Sequence, residues 1–436
     1  MRAWGKGRWP CASALWLLSG VWGLCAVAAA APRGDYNVFL EQTYTDNAPL
    51  EADAQPDWIT VLGVEGVLSE HGGRLDADLR ARVAREEYHR DTVEDDTALS
   101  LLVDTRYWLR PRTFSWAFYD RFARVGETVE DADRPGAQQN ANVVWTGPDA
   151  AVHLGPVDDW LLGARVGHTY FESDADSVRY AANTGWRHRT NENSELSLIG
   201  RAQQVDFKEE AAAAIDYDRY DLFAGHQRTG GSPLQWRAQL GMSRVELDGR
   251  DSDDALLLDS EITYRRSAPT LVGARIAHQY TDATGRLLDT SGILRGLEPV
   301  TDLSVGTSLI YERRYELFLR REAPIWTAEA RGYYVDEDFK TEDSDRDISG
   351  LRFYGSRSLS ARTDLGGEVY GERIHYQLFE REDKDYGASL SLTWRLSREL
   401  RLRGAVGHIV RNSDVDAAEY EENRVFLALV YGGSLD

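Results

Sequence analysis

The chain has 436 residues, with 50 Lys and Arg against 72 Asp and Glu, and a formal net charge of −22. An acidic balance of this size excludes a nucleic-acid partner, because phosphate backbones are held by clustered cations. Both cysteines, Cys11 and Cys25, stand near the start, and no later stretch approaches the ~20 consecutive apolar residues of a membrane helix. A disulfide framework and a helical bundle in the membrane are therefore excluded for the rest of the chain.

Residues 1–31 read as a Sec-type signal peptide. Arg2, Lys6 and Arg8 give a basic start, an apolar stretch runs from about Cys11 to Val27, and Ala28 to Ala31 offer small residues to a peptidase before Pro32. Leu24 stands where a lipobox needs a small residue ahead of Cys25, so cleavage without lipidation is expected. Residues 32–436 contain no linker, no low-complexity tract and no change of composition, and are expected to form one domain.

Within that domain the governing pattern has period two. A first strand is expected near Tyr36 to Thr45. Leu75, Ala77, Leu79, Ala81 and Val83 alternate with Asp76, Asp78, Arg80 and Arg82. Leu234, Trp236, Ala238, Leu240 and Met242 alternate with Gln235, Arg237, Gln239, Gly241 and Ser243. Ala388, Leu390, Leu392, Trp394 and Leu396 oppose Ser389, Ser391, Thr393, Arg395 and Ser397. A strand sends such sets to opposite faces, whereas a helix would scatter them around its circumference.

The connections alternate in length. Short turns are expected near Glu70 to Arg74, Arg110 to Thr113, Gly155 to Asp158, Arg189 to Ser194, Thr229 to Pro233, Arg266 to Pro269, Glu322 to Pro324, Ser360 to Thr363 and Ser397 to Glu399. Longer acidic connections lie between them, among them Gly126 to Gly136, Lys208 to Ile215, Asp248 to Asp254, Lys340 to Asp347 and Asn412 to Glu422. Pro111, Pro156, Pro233, Pro269 and Pro324 mark short turns, where a missing N–H costs no ladder bond. Pro148 falls inside a strand and is expected to mark a bulge.

Together these features predict an all-β fold: a closed antiparallel transmembrane β-barrel of about twenty strands, within a range of 18–22, whose last strand lies near Asn423 to Gly432. An even number places both termini on one side, expected to be the periplasm of an outer membrane. Outer-membrane lipid, lipopolysaccharide and the barrel assembly machinery follow as expected partners. Trp108, Trp116, Trp160, Trp186, Trp236, Trp326 and Trp394 gather near the short turns, as an interfacial girdle requires. A soluble sandwich has no reason to collect tryptophans at one end of each hairpin.

Motifs of catalysis are sparse. His71, His89, His153, His168, His188, His226, His278, His375 and His408 are dispersed without the spacing of a zinc site. No phosphate loop or nucleophile elbow occurs, although a triad assembled from distant strands leaves no mark in spacing. The acid groups Glu130, Asp131 and Asp133, Glu172, Asp174 and Asp176, and Asp343, Asp345 and Asp347 lack the glycine and distant glutamate of a calcium loop and read as solvated loop charge. The expectation is no enzyme, no catalytic or metal site and no cofactor. Arg80, Arg82, Arg237, Arg331 and Arg395, with Asp76, Asp78 and Glu329, are expected inside, as a polar lumen wall. The long connection from Asp282 to Gly306 carries Leu287, Leu288, Ile293 and Leu294; it reads either as an outer loop with some structure, apolar enough to fold inward as a constriction, or as a further hairpin.

Several stretches together resemble a known family. They are QTYTDNAPLEADAQPDWITVLGVEGVLSEHGG (42–73), YWLRPRTFSWAFYDRFARV (107–125), QNANVVWTGPDAAVHLGP (139–156), IDYDRYDLFAG (215–225) and IYERRYELFLRRE (310–322). Their order is similar to that of an outer-membrane β-barrel family, of the β-barrel porin 2 type, found with exopolysaccharide operons and the PEP-CTERM/exosortase sorting system. The resemblance implies a conduit or accessory in polysaccharide export or sorting, and carries over no catalytic residue. A general diffusion porin and a plugged structural barrel stand as alternatives. A TonB-dependent transporter is disfavoured because the first expected strand follows the cleavage site closely, leaving no room for a plug. Outer-membrane barrels usually end on an aromatic assembly signal, and Tyr431, set back from the end, is expected to serve.

Overall fold

The computed structural model describes residues 33–127, 134–208, 214–267, 269–288, 307–378 and 380–435. The expected signal peptide, the acid group at Glu130, Asp131 and Asp133, and residues 289–306 of the long connection lie outside the described residues.

Twenty strands account for nearly all of the rest. The first are β1 (Arg33–Thr45), β2 (Asp57–Gly72), β3 (Leu75–Tyr88), β4 (Asp96–Arg110), β5 (Phe114–Gly126), β6 (Gln138–His153) and β7 (Asp158–Phe171). Next come β8 (Ser177–Asn191), β9 (Ser194–Phe207), β10 (Tyr217–Arg228), β11 (Leu234–Leu247), β12 (Asp253–Ser267) and β13 (Thr270–Thr281). After a short helix α1 (Ala283–Leu288) follow β14 (Ile310–Ala323), β15 (Trp326–Phe339), β16 (Arg346–Ser360), β17 (Thr363–Tyr376), β18 (Arg381–Arg395), β19 (Leu400–Ser413) and β20 (Tyr420–Leu435). Each strand pairs antiparallel with its neighbour in sequence, and β20 returns to β1, from Gly34 opposite Leu435 to Thr45 opposite Arg424. The sheet is closed and has no edge, the condition for crossing lipid with strands.

Burial is inverted relative to a soluble protein. Leu317 is 68 % exposed and Leu222 60 %, whereas Asp57, Thr169 and Asp383 are fully covered. Outward phases are apolar and inward phases polar, so the exposed apolar band is the surface that lipid covers. All nine expected short turns fall between consecutive strands on one rim, and the long connections gather on the other.

Three details differ from the sequence reading. At Pro148 the β6–β7 ladder passes from Thr146 opposite Val166 to Asp149 opposite Gly163, so both strands skip two residues and the register is kept. A bulge would add a residue to one strand only. Here Pro148 lacks the donor, and the backbone of Ala164 lies so close to Gly147 that a Cβ there has no room. Trp108 sits on the lumen phase of β4, and its Nε1 donates to Asp76 Oδ2 at 2.8 Å, so it leaves the girdle that Trp116, Trp160, Trp186, Trp236, Trp326 and Trp394 share. The ladder slips between Trp108 and Arg110, which blurs phase at that turn. Finally, β20 continues past Gly432 to Leu435, pairing with Gly34 to Asn37. Gly432 tolerates no Cβ, because Asn37 Oδ1 and the Tyr36 carbonyl occupy that space.

The closing ladder therefore includes the tail. Deleting residues 432–436 is expected to lower the folded fraction, read as heat-modifiable mobility after refolding, about as much as Tyr431→Asp does. A deletion that refolds like the parent, beside a failing Tyr431→Asp, would show that the tail pairs contribute nothing to closure.

Candidate functional site

The feature that shapes the lumen begins where β13 ends. The β12–β13 ladder stops at Leu258 opposite His278, although β12 begins at Asp253 and β13 runs to Thr281. The end of β13 parts from β12 but stays paired with β14 as far as Thr281 opposite Ile310, and the chain turns inward after it. The Tyr311 hydroxyl donates to the Leu256 carbonyl at 2.9 Å, supplying the partner that the ladder does not.

Asp282 starts α1: its Oδ1 accepts from the Gly285 N–H at 2.8 Å, as a helix cap does. Spacing by four then puts Ala283 and Leu287 on one face. Both are buried against Val125 of β5, Ala141 and Val143 of β6, and Phe171 of β7. Thr284 meets Thr169 of β7, Oγ1 to Oγ1, at 2.7 Å. A second cluster, of Tyr280 and Leu309 with Val205, Tyr217, Val245 and Leu247, fills the space towards β9–β11. The segment thus crosses the lumen just inside the long-loop rim and closes the side lined by β5 to β11. Burying Leu287 stabilises this docking by roughly 1.5–3 kcal/mol.

Ion pairs fix its position. Asp282 Oδ2 is 2.5 Å from Arg179 Nη1 of β8 and accepts from the Tyr217 hydroxyl of β10 at 2.6 Å. All three groups are buried. Burial alone would raise the Asp282 carboxyl, but Arg179, the Tyr217 hydroxyl and the Gly285 N–H together hold it below the ordinary carboxylate value of 3.8. On the other side of α1, Arg286 Nη2 reaches Glu337 Oε1 of β15 at 2.5 Å and Glu312 Oε2 of β14 at 3.5 Å. Glu337 also accepts from Arg346 Nε of β16 at 2.6 Å.

From there a belt of side chains continues along the wall. Arg381 lies over the Tyr376 ring and binds Asp383, which also accepts from the Ser413 hydroxyl. Arg411 grips Asp385 with two N–H groups at 2.7 and 2.6 Å and lies over Tyr420. Thr45 closes the series on Glu422 at 2.8 Å. The constriction therefore has a packed side and a side lined by arginine, carboxylate and tyrosine. On that second side the charged groups are themselves buried and engaged with one another, Asp383 fully covered and Glu337, Arg346, Asp385 and Arg411 nearly so, and they brace the wall.

Deeper in the lumen a three-strand unit recurs. Phe39 covers Gly63 across the ladder and carries Arg82 at 5.0 Å. Phe223 covers Gly241 and carries Arg201 at 5.7 Å, and Tyr370 covers Gly387 and carries Arg352 at 5.2 Å. At Gly63 and Gly387 a Cβ would overlap the ring, and at Gly241 it would meet the Leu222 carbonyl and the Phe223 Cβ, so the glycine makes the room and the ring the platform.

The expected wall residues do face inward, but they do not converge. Arg331 pairs with Glu329 at 2.8 Å, Arg237 with Asp259 at 3.5 Å, Arg395 with Asp364 at 2.7 Å, and Asp78 with His71 at 3.4 Å. Arg80 stands between Val67 and Leu102 in the ladder. Arg179, Tyr217, Glu337 and Arg346 were not legible as site residues, since each is one more polar residue on an alternating strand. The acid groups of the loops act as caps: Glu172 and Asp174 accept from Asn140 and Gln139, and Asp345 accepts from the Phe339 N–H. Among the described residues no three metal-ligating side chains converge. Ser194 Oγ lies 3.0 Å from His226 Nε2, but His226 Nδ1 accepts from the Trp236 indole at 2.8 Å. The neutral ring therefore carries its proton on Nε2 and cannot take one from Ser194.

The last strands match a porin family. The family described as "Putative beta-barrel porin 2" matches residues 357–431, from the end of β16 into β20. No curated protein matches the sequence. Among solved structures, a mutant of the ferric enterobactin receptor from Pseudomonas aeruginosa, in complex with enterobactin, is 10 % identical with a TM-score of 0.50, over 93 % of this chain and 82 % of that one. OccK2 (OpdF) from Pseudomonas aeruginosa, in complex with glucuronate, is 10 % identical with a TM-score of 0.42, over 93 % and 98 %. The FrpB iron transporter from Neisseria meningitidis is 10 % identical with a TM-score of 0.49, over 92 % and 81 %. At such identities the likeness concerns the fold. The chain is a porin-like β-barrel of outer-membrane type.

Two outcomes follow for the constriction. Asp282→Asn leaves Arg179 buried without its counter-charge, a change that costs about 3–5 kcal/mol where a buried pair is broken. Single-channel conductance is expected to rise while heat-modifiable mobility stays that of the parent; an unchanged conductance would mean the segment does not restrict the lumen. Acid should act through the same carboxyl. Because its folded value is depressed, its stabilising effect is present at every pH above 3.8 and is lost as pH falls through the lower, folded value. Conductance is thus expected to be flat from neutral pH down to about that value and to rise only below it.

Proposed function

We propose that this barrel is a narrowed outer-membrane conduit, or an accessory to one, for polysaccharide export or PEP-CTERM-linked sorting. The observation that supports the reading is the docked segment from Tyr280 to Leu288, which is packed against one side of the lumen and ion-paired to both sides. A general diffusion porin needs an open lumen, whereas a polymer conduit needs a restricted one whose wall exchanges hydrogen bonds with successive hydroxyl groups. The family resemblance supports the same context. In this reading a signal peptide is removed, the short turns and both termini face the periplasm, and the long acidic connections face outward, where cations bridge them to lipopolysaccharide. The wall carries a solute rather than performing chemistry on it.

The decisive comparison is genetic and electrical. Deleting the gene is expected to lower surface polysaccharide and to leave uptake of small solutes nearly unchanged. Purified protein in planar bilayers is expected to give small or silent conductance that rises when the 282–306 segment is shortened. Normal polysaccharide with impaired solute uptake would overturn this reading in favour of a diffusion porin.

A further inference from the structure

A wide concavity lies on the outer wall rather than in the lumen. It is a groove of about 860 Å³ crossing β14 to β19. Register explains its shape. Ala328, Gly355 and Gly367 face one another on adjacent strands, as do Ala330 and Phe353, and Val369 and Ala388. The small residues form a floor, and Leu319, Phe353, Val369 and Leu390, each between 46 and 56 % exposed, stand up as walls. An ordinary barrel face is evenly studded, so a trough of this depth has to be filled by something apolar.

Charge at one end says by what. At the short-turn end the groove opens beside Trp326, whose ring carries the Arg321 guanidinium at 5.4 Å. Arg357 stands opposite Trp326 on the next strand, so two outward arginines flank one girdle tryptophan. On the outward phase of β14 to β17, carboxylates occur only towards the long-loop end, as Asp336, Asp338 and Asp347. The mouth is thus cationic and the rest of the groove mostly apolar, with His408 of β19 at its far edge. A guanidinium pair takes a phosphate diester well, and a tryptophan belongs at headgroup depth.

We infer that this groove is a specific phospholipid site: the phosphate of a lipid in the short-turn-side leaflet sits between Arg321 and Arg357, and an acyl chain lies along the floor of Ala328, Gly355 and Gly367. The assignment is independent of what the lumen carries. Two variants test it on the full mature barrel, purified from native membranes in mild detergent. R321Q/R357Q removes the phosphate partners. G355L fills the floor, and a Cβ at Gly355 meets nothing nearer than the Thr327 carbonyl at 3.9 Å, so the barrel tolerates it. Native mass spectrometry of the parent is expected to show one retained phospholipid, and both variants to lose it while keeping heat-modifiable mobility. A parent without retained lipid, variants that retain it equally, or lipid A as the retained species would overturn the assignment. So would a parent dimer that G355L dissociates, since the groove would then be an interface between copies.

Discussion

Backbone hydrogen bonding in lipid governs everything else in this molecule. A strand inside hydrocarbon has no water to satisfy its amides, so every N–H and C=O must find a partner in the next strand, and the last strand must find the first. Closure between β1 and β20 is therefore a precondition for the other nineteen ladders, and it runs from Gly34 to Thr45 without a register shift. The same rule explains the early end of the β12–β13 ladder. That break is tolerated near the rim, where the Tyr311 side chain satisfies a carbonyl that the neighbouring backbone leaves.

Once closure is set, the interior is a packing problem solved differently on its two sides. A ring of this size leaves more space than wall side chains can fill. On the β5 to β11 side the space is filled by chain: Leu287 and Ala283 find apolar partners, and the segment's own buried carboxylate, Asp282, finds a guanidinium and a hydroxyl. Towards β14 to β16 the same segment offers only Arg286, and the wall replies with Glu312 and Glu337. Apolar packing and buried charge pairs together hold the segment down.

Much of this was legible in the sequence, for a definite reason. Strands such as Leu234 to Leu247 repeat every two residues, and prolines mark several short turns, so local order alone places strands and turns. The inward turn at the start of the long connection, from Asp282 to Leu288, was readable from Leu287 and Leu288, whose apolar side chains are at odds with a solvated loop. Its partners were not. Asp282 and Arg179 are a hundred residues apart in sequence, and nothing periodic links them. Phase was also lost where side chains give no signal: Gly432 and Gly433 read as an end because glycine cannot alternate, and the slip beside Trp108 turned a girdle residue into a lumen residue.

The units of glycine, aromatic ring and arginine inside the lumen bear on how such a chain drifts over time. Phe39 needs the missing side chain of Gly63, and Arg82 needs the face of Phe39, so a change at any one position alters the value of the other two. A bulky residue at 63 is acceptable only after the ring at 39 has shrunk, and once it has shrunk, an arginine at 82 loses its support. Positions 39, 63 and 82, and likewise 352, 370 and 387, should therefore be inherited as linked triplets, visible in related sequences as joint substitutions across three neighbouring strands.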